Sequence, residues 1–119
     1  MKKTLVIGAG ANPNRYSYRA VHLLRQYGHE VVAIGLRKIQ IADVQVETEP
    51  IPFDAIHTVT LYLNPQRQEQ YYDYILSLHP QRIIFNPGTE NPVLKQKAKA
   101  LGIEVVEYCL LVMLNNHLF

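Results

Sequence analysis

One cysteine, Cys109, stands in a chain of 119 residues. It has no internal partner, so no disulfide framework can hold the fold. That leaves core packing to hold it and points to a reducing, cytoplasmic setting. Concentrated charge is scarce too. Twelve Lys and Arg against ten Asp and Glu leave a net charge of +2, and beyond Lys2-Lys3 at the start the only local basic pair is Arg37-Lys38. A nucleic-acid surface needs a basic stripe, which this chain lacks. Long apolar runs are also missing. A membrane span takes about 20 apolar residues. The longest run near the end, Cys109-Leu-Leu-Val-Met-Leu114, falls short of that. The leader-like start Met1-Lys-Lys-Thr-Leu-Val-Ile-Gly8 is also too short, and reads better as a first strand.

Chemical clusters are missing as well. The histidines His22, His29, His57, His79 and His117 show no HxxxH or HExxH spacing, and there is no CxxC. This argues against a metal site. No paired carboxylates offer acid–base work, and no nucleophile–base–orienter set can be built. The expectation is no catalytic residue and no metal ligand.

What is present is an alternation of strand and helix signals. Leu5-Val-Ile-Gly8 is a short apolar run ending in glycine, as in a buried parallel strand. Val21, Leu24 and Gly28 follow at helical spacing, with Ser17 as the expected N-cap. Val31-Val-Ala-Ile34 is a second strand, Val44 and Val46 mark a short edge strand, and Pro50 and Pro52 mark a loop. Ile56–Leu63 is β-branched and aromatic, hence a strand. Asn64-Pro65 opens a helix with Tyr71, Ile75 and Leu78 on one face. Arg82-Ile-Ile-Phe85 is the next strand, and Asn86-Pro-Gly-Thr89 has the composition of a turn. Asn91-Pro92 starts a helix carrying Leu94, Ala98 and Leu101, stopped by Gly102, and Glu104–Tyr108 is the last strand. This order predicts a Rossmann-like α/β fold: three layers, α/β/α, around a parallel sheet of about five strands. One domain covers residues 1–119.

Ligands of open α/β sheets bind beyond the carboxyl ends of the strands. The first loop there, Gly8–Ser17, begins as a dinucleotide fingerprint with Gly8 and Gly10 and then places Pro13 where the third glycine belongs. Glycines and a helix amino end suit a phosphate, and Arg15, Ser17 and Arg19 add donors. The second loop, Gly35-Leu36-Arg37-Lys38, lacks the acid that grips the ribose diol of NAD. Two cations there suit an extra ribose phosphate, which NADP carries at the 2′ position and CoA at the 3′ position. Cys109 reads as inert core more readily than as a reactive thiol. The tyrosines Tyr71, Tyr72 and Tyr74 read as packing on a helix.

The stretch Val6-Ile-Gly-Ala-Gly-Ala-Asn-Pro-Asn-Arg-Tyr-Ser-Tyr-Arg19, the helix ending Tyr27-Gly-His29 and the following Glu30-Val-Val-Ala-Ile34 resemble the small single-domain CoA-binding proteins of bacteria. Pro87-Gly88, the run Ala100-Leu-Gly-Ile-Glu-Val-Val106 and Cys109 extend the resemblance over nearly the whole chain. That family is similar to the CoA-binding domain of the succinyl-CoA synthetase α subunit. That enzyme's phosphorylated histidine lies in a further domain. The resemblance thus implies a module that binds CoA or an acyl-CoA without the synthetase reaction, in a binding or sensor role. It implies that Gly8, Ala9, Gly10, Asn12, Pro13, Arg15 and Ser17 meet the pyrophosphate. Arg37 and Lys38 are candidates for the terminal ribose phosphate, and Asn86, Pro87 and Gly88 close the rim. Gly10 stands where serine is commoner in the family, Gly35–Lys38 replaces an Asn-Pro, and Ile83-Ile-Phe-Asn86 replaces an aromatic-rich run. The rival readings are an NADP-dependent oxidoreductase and an interaction module without nucleotide. In the latter, Leu110–Leu114 and Leu118-Phe119 form a homodimer face.

Overall fold

The computed structural model describes residues 1–119. The first strand, β1 (Thr4–Ala9), leads into helix α1 (Tyr16–Gln26) and strand β2 (Val31–Gly35). Two short strands follow, β3 (Gln40–Ile41) and β4 (Val44–Glu47), then β5 (Thr58–Leu61). Helix α2 (Pro65–Gln68), a 3-10 turn (Glu69–Tyr71) and helix α3 (Tyr72–Ser77) connect to β6 (Arg82–Phe85). Helix α4 (Pro92–Ala100), strand β7 (Glu104–Glu107) and helix α5 (Leu110–Asn115) complete the order. The sheet runs β3-β4-β2-β1-β5-β6-β7. All pairings are parallel except that of β3 with β4.

The three layers come directly from strand alternation. Val6 and Ile84 point to one face, where Val21 and Leu24 of α1 and Leu110, Met113 and Leu114 of α5 cover them. Leu5, Ile7, Val59, Leu61, Ile83 and Phe85 point to the other, under Ile75 of α3 and Leu94 and Ala98 of α4. Strands buried on both faces need apolar residues at every position, as in Leu5-Val-Ile7 and Ile83-Ile-Phe85. No helix is long and apolar enough to cross a membrane.

Four expectations change. The sheet has seven strands, because residues 40–47 form a hairpin and β3 lies outside β4, which is therefore not the edge. The strand expected over Ile56–Leu63 pairs only as Thr58–Leu61. The helix expected to run on from Asn64 breaks at Glu69–Tyr71, directly after the buried Gln68, whose side chain is bonded sideways to two loops. Ser17 is not an N-cap: Arg15 holds that position without a side-chain bond, and Ser17 is buried within the first turn. A tight turn, in which Arg15 N–H donates to Asn12 O, leads into the helix, which therefore starts at Tyr16, ahead of its expected cap.

The C-terminal apolar run is likewise used inside the chain. Leu110, Met113 and Leu114 are core residues against α1, so they are not available as a homodimer face. Two Asn-Pro pairs do serve as helix starts. Asn64 accepts from Arg67 N–H, Asn91 accepts from Val93 and Leu94 N–H, and a proline follows each.

At the amino end of the sheet the side chains of Lys2, His29 and Arg82 gather around Phe119, and His57 feels the charges of Arg82 and Lys2. The Arg82 guanidinium lies 4.4 Å from the Phe119 ring centroid and donates through Nε to Thr58 Oγ1 at 2.9 Å, while its Nη2 is buried without a partner. His29 packs on the same ring at 4.8 Å and accepts from Lys2 N–H through Nδ1. Burial, then the α-amino group, Lys2 and Arg82, lower the His29 pKa. Burial, then Arg82 and Lys2, lower that of His57, against a smaller opposing pull from Glu104. Both imidazoles are therefore held neutral in the fold, whereas the unfolded chain takes up protons near its ordinary value of about 6.5. Their contribution to stability is present above about pH 6.5 and is lost as pH falls through the lowered folded values. The melting temperature should drop between about pH 7 and pH 5, and His29→Gln with His57→Gln should flatten that slope. An unchanged slope in the double variant would remove these histidines as the cause.

Candidate functional site

The chain leaves β1 toward β2 on one side and returns later to β5 on the other. The carboxyl end of β1 is thus the switch point of the sheet, where a crevice opens between oppositely wound halves. A cavity of about 880 Å3 lies there. The loops after β1, β2, β5 and β6 all reach it.

Two glycines make this geometry. Gly8 bulges out of the β1–β2 register with φ +98°, and a Cβ on it would stand 3.0 Å from the Tyr62 backbone. A Cβ on Gly35 would lie 2.1 Å from Ala9 O, far inside van der Waals contact between a carbon and an oxygen. Gly10 differs from both. A Cβ there would meet nothing within 4 Å, so the fold itself does not require a glycine.

The structure brings Gly8, Ala9, Gly10, Asn12, Arg15 and Ser17 onto one wall of the crevice, and Arg37 onto the β2 side. Pro87 and Gly88 reach it from the β6 side. Three expected residues stand apart. Pro13 faces a shallower hollow between α1 and α5, and Lys38 does not line the crevice. Asn86 is buried and fully engaged: Nδ2 donates to Thr60 Oγ1 at 2.7 Å and Leu61 O at 3.0 Å, and Oδ1 accepts from Leu110 N–H at 2.9 Å. It holds β5, β6 and α5 together beneath the rim and has no group left for a ligand. The turn it opens forms as expected, with Thr89 N–H donating to Asn86 O and Gly88 at φ +90°.

Sequence reasoning missed Arg67, Gln70 and Tyr71, which complete the β5 side. The Asn64-Pro65 helix start held the signal: Arg67 is the residue whose N–H the Asn64 cap accepts, so it sits on the first turn, above the strand end. Tyr62 was also missed. Its hydroxyl is buried under the crevice near Thr60 but without a hydrogen bond of good geometry, and burial, reinforced by Cys109 and weakly opposed by Thr60, raises its pKa well above the ordinary phenol value. Cys109 itself is half-buried and free, and does not line the crevice.

The electrostatics have one sign. Arg15, Arg37 and Arg67 line the crevice, no Asp or Glu does, and none of the three arginines is in a salt bridge. The first-turn amides of α1 carry no side-chain cap, unlike those of α2 and α4. Three cations and a helix amino end without a side-chain cap suit an anion with several charges.

The family model of the CoA binding domain matches residues 2–115. The chain belongs to the CoA binding domain family. Membership supports CoA binding in general. A solved structure described as an uncharacterized protein is 46% identical, with TM-score 0.97, over 100% of this chain and 98% of that one. The cell-free ID.343 structure from Thermus thermophilus is 21% identical, with TM-score 0.87, over 99% and 90%. An acetyl-coenzyme A synthetase from Ca. Korarchaeum cryptofilum, in complex with phosphate and ADP, is 14% identical with TM-score 0.73; the match spans 90% of this chain and 25% of the synthetase. The last two likenesses show the fold. None of the curated proteins compared with the chain matches it.

In this CoA binding domain the two kinds of glycine can be separated by experiment. Gly35→Ala should cost more than about 1 kcal/mol through overpacking and lower the melting temperature by several degrees. Gly10→Ala should change stability by less than about 0.5 kcal/mol, because its Cβ meets nothing. Calorimetry of both variants checks the contrast. A large loss in Gly10→Ala would show that the fold, and not a ligand, requires the glycine.

Proposed function

We propose that the protein binds CoA or an acyl-CoA in the β1–β5 crevice, as a binding or sensor module without a reaction of its own. The observation that carries this reading is the trio of unpaired arginines, one each from the segments that follow β1, β2 and β5, in a crevice without a carboxylate. In this reading the pyrophosphate lies over Gly8–Ser17, against the uncapped amides of α1. Gly10 leaves room for its approach. Arg37 faces the phosphate of the ribose, and Lys38, off the crevice, adds longer-range attraction only. Arg67 takes the pyrophosphate from the opposite side to Arg15. The Asn86–Thr89 turn forms the far rim, through Pro87 and Gly88. Family membership favours CoA over NADP, which would satisfy the same cations. The end of β2 lacks the acid that NAD calls for.

Thermal shift with CoA, dephospho-CoA, NAD and NADPH tests the reading. A ligand that binds only the native state raises its stability by RT ln(1 + [L]/Kd), about 2.7 kcal/mol at 100 Kd. CoA should raise the melting temperature and NAD should not. Arg37→Met should weaken CoA by about tenfold, the weight of one charge-assisted contact, and dephospho-CoA much less. Arg67→Met should weaken both alike. A shift with NADPH and none with CoA would instead favour the oxidoreductase reading. No shift with any of them would favour an interaction module.

A further inference from the structure

Gln68 has no solvent exposure, yet its side chain makes three hydrogen bonds that span two loops of the crevice. Nε2 donates to Leu63 O at 2.8 Å and to Thr89 O at 2.8 Å. Oε1 accepts from Asn91 Nδ2 at 3.0 Å. Leu63 follows β5, Thr89 follows β6, and both line the crevice. One buried amide thus sets the separation of the two loops. Asn91 holds that amide in orientation: its Nδ2 also donates to Tyr72 Oη at 2.7 Å, while its Oδ1 caps α4. The helix breaks immediately after Gln68, and the break puts Gln70 and Tyr71 on the crevice while Tyr72 stays on Asn91. A surface helix needs no buried glutamine. A buried amide with every polar group matched rigidifies what it joins.

We infer that Gln68, oriented by Asn91, is a positioning residue that sets the spacing of the β5 and β6 loops for the part of the ligand lying beyond the pyrophosphate. This rests on the CoA reading above. There Arg37 fixes the ribose phosphate at the β2 end, so the pantetheine arm runs the other way, over β5 and β6. Gln68 itself touches no ligand and acts through Leu63 and Thr89.

The experiment compares two ligands by calorimetric titration. One is CoA; the other is adenosine 3′,5′-bisphosphate, which keeps the nucleotide end and lacks the arm. Gln68→Met preserves the volume and leaves both carbonyls without their donor. It should weaken CoA by about tenfold, the weight of one or two neutral hydrogen bonds, and leave the bisphosphate within about twofold. Asn91→Asp keeps the α4 cap, since Asp caps as well as Asn. It places an acceptor against Gln68 Oε1, so the amide must turn and release a loop. It should reproduce the selective loss at about threefold, and it carries the test alone if Gln68→Met does not fold. Equal weakening of both ligands, or no weakening of either, would overturn the inference while leaving the CoA reading standing. Wild-type protein that binds neither ligand would overturn the CoA reading itself, and the positioning role with it.

Discussion

The carbonyl oxygen of Ala9 occupies the space that a β-carbon on residue 35 would need. With glycine at 35, β2 stays paired to β1 up to its last residue, while Gly8 steps out of register at positive φ. That single close approach fixes the shape of the switch point. It turns the chain after β1 toward α1 and brings the tips of β1 and β2 level. The β5 side is set by the neighbouring contact, where Gly8 lies against the backbone of Tyr62. The four loops at the carboxyl end take their places from these two contacts.

Charge is then sorted between the ends of the sheet. Arg15, Arg37 and Arg67 stay solvated around the crevice, unpaired and without a nearby lining carboxylate. At the opposite end the cations are desolvated. Arg82 is stacked on Phe119, and the adjacent His29 and His57 are held neutral. Cations at the carboxyl end remain available to a ligand, whereas those at the amino end are spent on packing. The same division runs through the asparagines. Asn64 and Asn91 cap helices, but Asn86 is a buried bolt between β5, β6 and α5.

The crevice contains donors and cations but no group of three metal-ligating side chains and no base beside a nucleophile. Its donors and cations suit an anion. The buried network of Gln68 and Asn91 holds two walls of the crevice in place, and rigid walls lower the cost of ordering on binding.

The alternation of buried strands and helices was readable in the chain because it is written locally. Leu5-Val-Ile7 and Ile83-Ile-Phe85 are apolar at consecutive positions, and Gly28, Gly102 and the Asn-Pro pairs punctuate the helices. The glycine loop and Arg37 were readable for the same reason: they directly follow strands. The β3–β4 hairpin was not, since two-residue strands carry little pattern of their own and form by pairing. Nor was the meeting of Arg67 and Gln68 with loops that are distant in the chain, from Gly8 at one end of the crevice to Thr89 at the other. Thus the order of elements, the two-sided burial and a glycine loop after the first strand were determined by the sequence, through side-chain periodicity and backbone freedom. Which loops meet, which asparagine is a cap and which a bolt, and why residue 35 admits no β-carbon were decided only by the tertiary structure, because each depends on contacts between strands that are neighbours in space and not in the chain.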